Sequence, residues 1–170
     1  MKPFRIRELT SADTQALLAF EARNREWFES QIDAREPDFY SLQGVAEHID
    51  CCLADFALGV WHPFVIEDCN ARIVGRANLK GINSLEQTAE VGYRVDQNAG
   101  GQGLATLALE HLIEQAKERW GLTQLIAYVF KENLGSMKVL ERCGFQLAQS
   151  SGDEPAEYRL VLSTQVADKH

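Results

Sequence analysis

Gly100, Gly101 and Gly103 crowd into a short stretch, and what they offer to chemistry is bare backbone. With no Cβ atoms in the way, successive N–H groups can face outward at the start of a helix, a geometry that suits a phosphate. Without function, the same turn is an ordinary strand-to-helix connection, so its surroundings decide.

The flanking elements are legible from their periods. Before the glycines, Val91, Tyr93 and Val95 share one face of an extended segment, with Glu90, Gly92 and Arg94 on the other. After them, Leu104, Ala105, Ala108, Leu109, Leu112, Ile113, Ala116 and Trp120 make a wide apolar stripe, predicting a helix over residues 103–120 that Gly121 ends. A Walker A loop needs a lysine and a Ser or Thr after its last glycine. Here Leu104 and Ala105 follow Gly103, which excludes it. A dinucleotide fingerprint is only partial: Thr106 fills the third small position, and no acidic residue near Phe130 is placed to hold a ribose.

Composition narrows the class. The 170 residues, 45% of them hydrophobic, suffice for one domain with a single core. No apolar run reaches the length of a membrane span, and residues 1–9 lack the apolar stretch of a signal peptide, so a cytoplasmic protein without membrane contact is expected. A net charge of −8 disfavours nucleic acid as a partner, and because the acidic residues are dispersed it is read as solubility. Cys51, Cys52, Cys69 and Cys143, and likewise His48, His62, His111 and His170, show no metal-ligand spacing. The thiols are expected to be buried, and no metal is expected.

In chain order, Phe4, Ile6 and Leu9 predict a first strand. Residues 10–13 supply N-cap candidates for a helix through Leu17, Leu18 and Phe20 that continues toward Trp27 and Phe28 before Pro37 stops it. The charged residues of this arm, Glu21, Arg23, Arg25, Glu26 and Glu29, suit one wall of a substrate cleft. A solvated amphipathic face is the plainer account and is preferred. Residues 41–58 predict a second helix with Gly59 just past its end, and residues 64–66, 73–79 and 90–95 an antiparallel meander of three strands. Residues 122–130 predict a central strand, residues 133–143 a helix closed by Gly144 and Phe145, and residues 145–147 and 158–162 a last strand pair. A single domain over residues 1–163 with a flexible tail, residues 164–170, is expected. Strands and helices in this order predict an α+β fold rather than a doubly wound one.

Three stretches in order carry a family likeness: Glu90-Val-Gly-Tyr-Arg-Val, then Gly101-Gln-Gly-Leu-Ala, then Asn133 and Ser136 ahead of Val139-Leu-Glu-Arg, Gly144 and Phe145. The combination resembles the GCN5-related N-acetyltransferase (GNAT) superfamily, and within it the RimJ/RimL-like ribosomal-protein N-acetyltransferase branch. The resemblance implies a mixed, mostly antiparallel central sheet with helices on both faces, and acetyl-CoA as co-substrate. It implies that Gly100, Gly101, Gln102, Gly103, Leu104, Ala105 and Thr106 hold the pyrophosphate, and that Val95 pairs its backbone with the pantetheine arm in place of a neighbouring strand. The branch pattern has Gln or Arg where Gly100 stands, so one side-chain contact to the phosphates is missing.

Such a reaction needs a proton removed from an amine, charge stabilised on a carbonyl oxygen and a proton supplied to a thiolate. The resemblance makes Glu90 the base, directly or through water; its plain alternative is a cross-strand partner for Arg76 or Lys80. Many superfamily members place a tyrosine four residues before the glycine of the Gly-Phe pair, where this chain has Leu140. Ser136 is therefore the implied acid, with Asn133 orienting the pantetheine. The alternative for these two is a helix cap, and both roles can coexist. The acceptor implied is a protein or peptide N-terminal amine. With a pKa of about 8 roughly a tenth of such amines are neutral at pH 7, against roughly one lysine in two thousand. Small-molecule acceptors (polyamines, amino acids, antibiotics) and a catalytically inactive CoA-binding module are the alternatives, and the resemblance also admits a homodimer.

Overall fold

The protein is described here by a computed structural model covering residues 4–99, 103–130, 133–149 and 155–162. Its alternating segments form seven strands: β1 Arg5–Glu8, β2 Trp61–Glu67, β3 Ile73–Asn83, β4 Thr88–Val95, β5 Gln124–Val129, β6 Gln146–Gln149 and β7 Ala156–Val161. They make one sheet in the order β1-β2-β3-β4-β5-β7-β6, antiparallel throughout except where β4 meets β5. The expected meander is β2-β3-β4, and the sheet is mostly antiparallel and mixed, as the family likeness implied.

Among the described residues five α-helices flank it: α1 Thr14–Arg23, α2 Arg25–Glu29, α3 Leu42–Ala57, α4 Leu104–Glu118 and α5 Leu134–Arg142. Their apolar faces set the two layers. Leu104, Leu109 and Leu112 of α4 join Leu79, Val91 and Leu125 in one core, while Leu17, Phe20, Val45 and Ile49 of α1 and α3 close over Val65 and Ile73 in the other. Each such side chain contributes about 1.5–3 kcal/mol on full burial.

The helix ends explain where the chain turns. Ser41 accepts from the Gly44 N–H at 2.9 Å and opens α3. The close of α5 is a Schellman turn: Phe145 N–H donates to Leu140 O at 2.9 Å and Gly144 N–H to Glu141 O at 3.1 Å, with Gly144 at φ +99. The first helical arm departs from expectation. It breaks at Asn24 and ends at Glu29, and Pro37 starts a short 3-10 turn, Pro37–Phe39, where its missing N–H costs nothing. Asn24 is buried because it ties two elements together. Its Nδ2 donates to Phe20 O at 3.0 Å, and its Oδ1 accepts from the Gln97 N–H at 3.0 Å, fastening the arm to the turn after β4. The cysteines also differ from expectation: Cys52 alone is buried, Cys143 is half-buried, and Cys51, off the apolar face of α3, and Cys69, in the turn between β2 and β3, are exposed. The expected tail, residues 164–170, lies outside the described residues. Among the described residues no helix is long and apolar enough to cross a membrane.

Candidate active site

The sheet carries a slot at its one parallel junction. β4 and β5 are in register at Thr88 with Gln124, Ala89 with Leu125 and Glu90 with Ile126, and there the pairing stops. Both strands continue, β4 to Val95 and β5 to Val129, so the facing edges of residues 91–95 and 127–129 lack a neighbouring strand. Backbone amides and carbonyls left this way need a partner. A cavity of about 830 Å³ fills the opening, lined on the slot side by Val95, Ala105, Val129, Asn133 and Ser136.

α4 starts beside it. Gly103, at φ +76, is its N-cap in the left-handed region open to glycine, and the N–H groups of Leu104, Ala105 and Thr106 have no partner within the helix. Leu104 points its side chain into the core, while Ala105 lines the cavity, so what this turn offers the slot is backbone. Gly100, Gly101 and Gln102 lie outside the described residues.

The other candidates converge on the same cavity. Asn133 caps α5, its Oδ1 accepting from the Ser136 N–H at 3.1 Å, so the capping role is real. That bond fixes the first turn and turns the Ser136 hydroxyl inward, where its Oγ shares a hydrogen bond of 2.7 Å with the Tyr93 hydroxyl. Burial pushes the Tyr93 phenol up from its ordinary value, against the pull of that hydrogen bond, so it keeps its proton at neutral pH. Leu140, buried in the cavity wall, has no proton to give.

Glu90 stands at the apex, on the last paired residue of β4. Its Oε2 lies 3.5 Å from Lys80 Nζ, its cross-strand partner, and both side chains remain about one-third exposed. Of the two cations proposed for it, Lys80 is the one it meets. Arg76 is engaged elsewhere.

That engagement is the largest departure from the sequence reading. Glu21 is not on a solvated face: its side chain is fully buried and receives Arg35, Arg76 and Arg94. Burial opposes its ionisation, and the three guanidiniums outweigh burial and hold its carboxyl below the usual range. Trp27, Phe28 and Arg35 line the cavity, so the arm does form a cleft wall; the solvated account survives for the exposed Arg25–Glu29 pair. Two signals were available. Glu21 falls four residues after Leu17 on the apolar stripe, and a tyrosine at an inward strand position, as Tyr93 is, needs a partner for its hydroxyl.

A mixed sheet splayed at a parallel junction, with a helix N-terminus at one end of the slot and a hydroxyl pair at its side, defines an acyltransferase fold. Residues 4–146 match the acetyltransferase (GNAT) domain family, and the chain belongs to it. Over 149 residues it is 30% identical to a Bacillus subtilis (strain 168) protein named probable N-acetyltransferase YjcK, covering 85% of this chain and 81% of that one. Among solved structures, the ribosomal-protein-S5-alanine acetyltransferase from Vibrio fischeri superposes with a TM-score of 0.88 at 19% identity, covering 95% of this chain and 94% of that one. The RimL ribosomal L7/L12 alpha-N-protein acetyltransferase in complex with coenzyme A gives 0.84 at 20% identity, covering 96% and 97%. The protein is thus a GNAT-type N-acetyltransferase.

Proposed function

We propose that the chain acetylates the N-terminal amine of a protein or peptide, with acetyl-CoA as donor. The observation that carries the donor is the slot: two strand edges without partners among the described residues, opening beside the N–H groups at the start of α4 that have no partner within the helix. The donor fits these residues, since a pantetheine arm has amides for strand edges and a pyrophosphate has charge for a helix N-terminus. When bound it supplies an acetyl thioester, whose C–S bond breaks as the C–N bond forms.

In this reading Val95 and its neighbours on β4 hold the arm, while residues 100–106 hold the phosphates. Glu90 takes the proton of the incoming amine directly or through one water, with Lys80 Nζ 3.5 Å away as its cross-strand neighbour. Ser136 gives its proton to the departing sulfur and recovers one across its 2.7 Å hydrogen bond with Tyr93, which in turn takes one from water in the cavity, while Glu90 returns the amine's proton to solvent. Asn133 keeps Ser136 oriented. The N-terminal acceptor is supported by the fold shared with two proteins named for modifying ribosomal proteins and by the lower pKa of an α-amine, which asks less of Glu90.

The test is CoA release from acetyl-CoA with a panel of N-terminal peptides, lysine side-chain analogues and polyamines, read by thiol titration and product mass. Modification of peptide α-amines is expected. Turnover confined to polyamines would reject the acceptor, and no turnover despite CoA binding would leave only the binding module.

A further inference from the structure

The polar floor of the cavity is laid out by strand register. On one face of β3 and β4, Lys80 pairs with Glu90, Asn78 with Gly92 and Arg76 with Arg94. The amine-handling end and the guanidinium end are thus four residues apart, about 13 Å of strand.

The guanidinium end is out of balance. Glu21 accepts four hydrogen bonds: Arg35 Nε and Arg94 Nη1 on Oε1, both at 3.2 Å, and Arg35 Nη2 at 3.2 Å and Arg76 Nη1 at 3.1 Å on Oε2. A carboxylate has about four acceptor sites, so it is saturated. Arg76 Nη2 donates to His48 Nε2 at 3.0 Å, which makes that ring neutral, and burial followed by the charge of Arg76 pushes His48 down to about 3. Arg76 Nε, on a residue only 3% exposed, has no hydrogen-bond partner among the described residues. Among the described residues the Arg94 guanidinium makes a single hydrogen bond, to Glu21, and lies 5.0 Å from the Phe28 ring centroid. Three positive charges therefore face one negative charge across a cavity wall.

Elsewhere among the described residues each ion-paired arginine has its own carboxylate: Arg5 and Arg7 meet Glu67 and Asp13, Arg23 meets Asp96, Arg25 meets Glu29 and Arg159 meets Glu157. The excess is also not a product of general basicity, since the chain carries a net charge of −8. Asp33 lines the same cavity but is exposed and makes no ion pair with the three arginines among the described residues. Buried charge without a counter-charge is costly, and an anion from the acceptor would relieve it.

We propose that Arg35, Arg76 and Arg94 seat a carboxylate of the acceptor, so that the preferred substrate is an N-terminal amine followed within two to four residues by Asp or Glu. An extended peptide covers about 13 Å in roughly four residues, and fewer once arginine and acidic side chains reach toward each other. The inference rests on the N-terminal acceptor proposed above, and one experiment separates the two.

Peptides beginning with Ala and carrying Asp or Glu, Asn or Gln, or Lys at positions two to four are compared with free aspartate, free glutamate and spermidine, using the full chain and acetyl-CoA. The acidic peptides are expected to exceed their amides by about tenfold or more in kcat/KM, as charged hydrogen bonds do, with the lysine peptides poorest. Arg94→Gln should shrink that preference to about twofold or less while CoA affinity, measured by calorimetry, stays unchanged. Equal rates for acidic and neutral peptides would overturn the carboxylate seat and leave the N-terminal acceptor standing. Modification of free aspartate or glutamate without any peptide would keep the seat and discard the peptide, and modification of spermidine alone would discard both. Weaker CoA binding by Arg94→Gln would assign the arginines to the cofactor and end the proposal. Should that variant fail to fold, the peptide series on the unaltered chain decides, with the partly exposed Arg35→Gln as second variant.

Discussion

The hydroxyl pair formed by Ser136 and Tyr93 is the smallest unit of the proposed chemistry, and its two members make separable predictions. If Ser136 is the acid proposed above, Ser136→Ala should lower kcat by about 10²-fold or more, the usual worth of a general acid. Tyr93→Phe keeps the ring packed and removes only the resupply of the proton, so a smaller fall, about tenfold, is expected, with KM for acetyl-CoA unchanged. The double variant should be no slower than Ser136→Ala alone, because the two act in series. Thiol release at saturating acetyl-CoA measures all three, and a Tyr93→Phe enzyme as fast as the parent removes Tyr93 from the proton path. Ser136, Asn133 and Glu90 could be singled out as candidates in the sequence because their spacing from Gly144 or from the glycine turn carries the family likeness. Tyr93 was not: on a strand its alternation with Val91 and Val95 reads as packing, and only the fold brings Ser136 of a distant helix within 2.7 Å of its hydroxyl. Glu21 lay on the apolar stripe after Leu17, but the three arginines that meet it were hidden, standing 14, 55 and 73 positions away.

At the scale of elements, α5 serves two ends at once through Asn133, and substitution can part them. Asn133→Ala removes the acceptor of the Ser136 N–H and should cost about 1 kcal/mol of stability, while Asn133→Asp keeps a capping oxygen and should restore it. If the Asn133 amide also holds the pantetheine, both variants should raise KM for acetyl-CoA, since a carboxylate cannot donate. Thermal melts beside steady-state kinetics separate the effects, and a normal KM in Asn133→Asp would reduce Asn133 to a cap. The cap, the Schellman close and the limits of α3 could be read from local residues because each is made within one turn of chain. The splay of β4 from β5 could not. It arises where a parallel pair stops after Glu90 and Ile126 although both strands continue; Gly92 is the one local mark, and a glycine within a strand does not say which neighbour departs. Likewise the apolar run through Trp27 and Phe28 suggested a longer helix, while Asn24, held by Gln97 from the turn after β4, breaks it.

At the scale of the whole molecule, the buried histidines and carboxyls bias stability in one direction, toward loss in acid. His48, His62 and His111 are all held below their ordinary value by burial, His48 to about 3 with the charge of Arg76 assisting. For His62 the tautomer follows from its neighbours: the Trp120 indole can only donate, so Nδ1 accepts at 3.0 Å, and Nε2–H donates to Glu8 at 2.8 Å. A proton arriving at Nδ1 would break the Trp120 bond. A base held down in the folded state contributes stability that is complete above its unfolded pKa of 6.5 and is lost as pH falls toward the folded value, because the unfolded chain binds the proton first. The depressed carboxyls of Glu21 and Asp96 act with the same sign but later: their stability is present above the ordinary carboxylate range and lost as pH falls through their folded values. The melting temperature should therefore be highest near or above neutral pH and begin to fall below about pH 6.5, before the carboxylates titrate. His48→Gln, whose amide oxygen can still accept from Arg76, should flatten the decline between about pH 6.5 and 4.5 without abolishing it, since His62 and His111 remain. A melting temperature that holds level from pH 7 to 5 would mean that acid-driven loss is set by the carboxylates alone, and the neutral state inferred for the three rings would have to be given up.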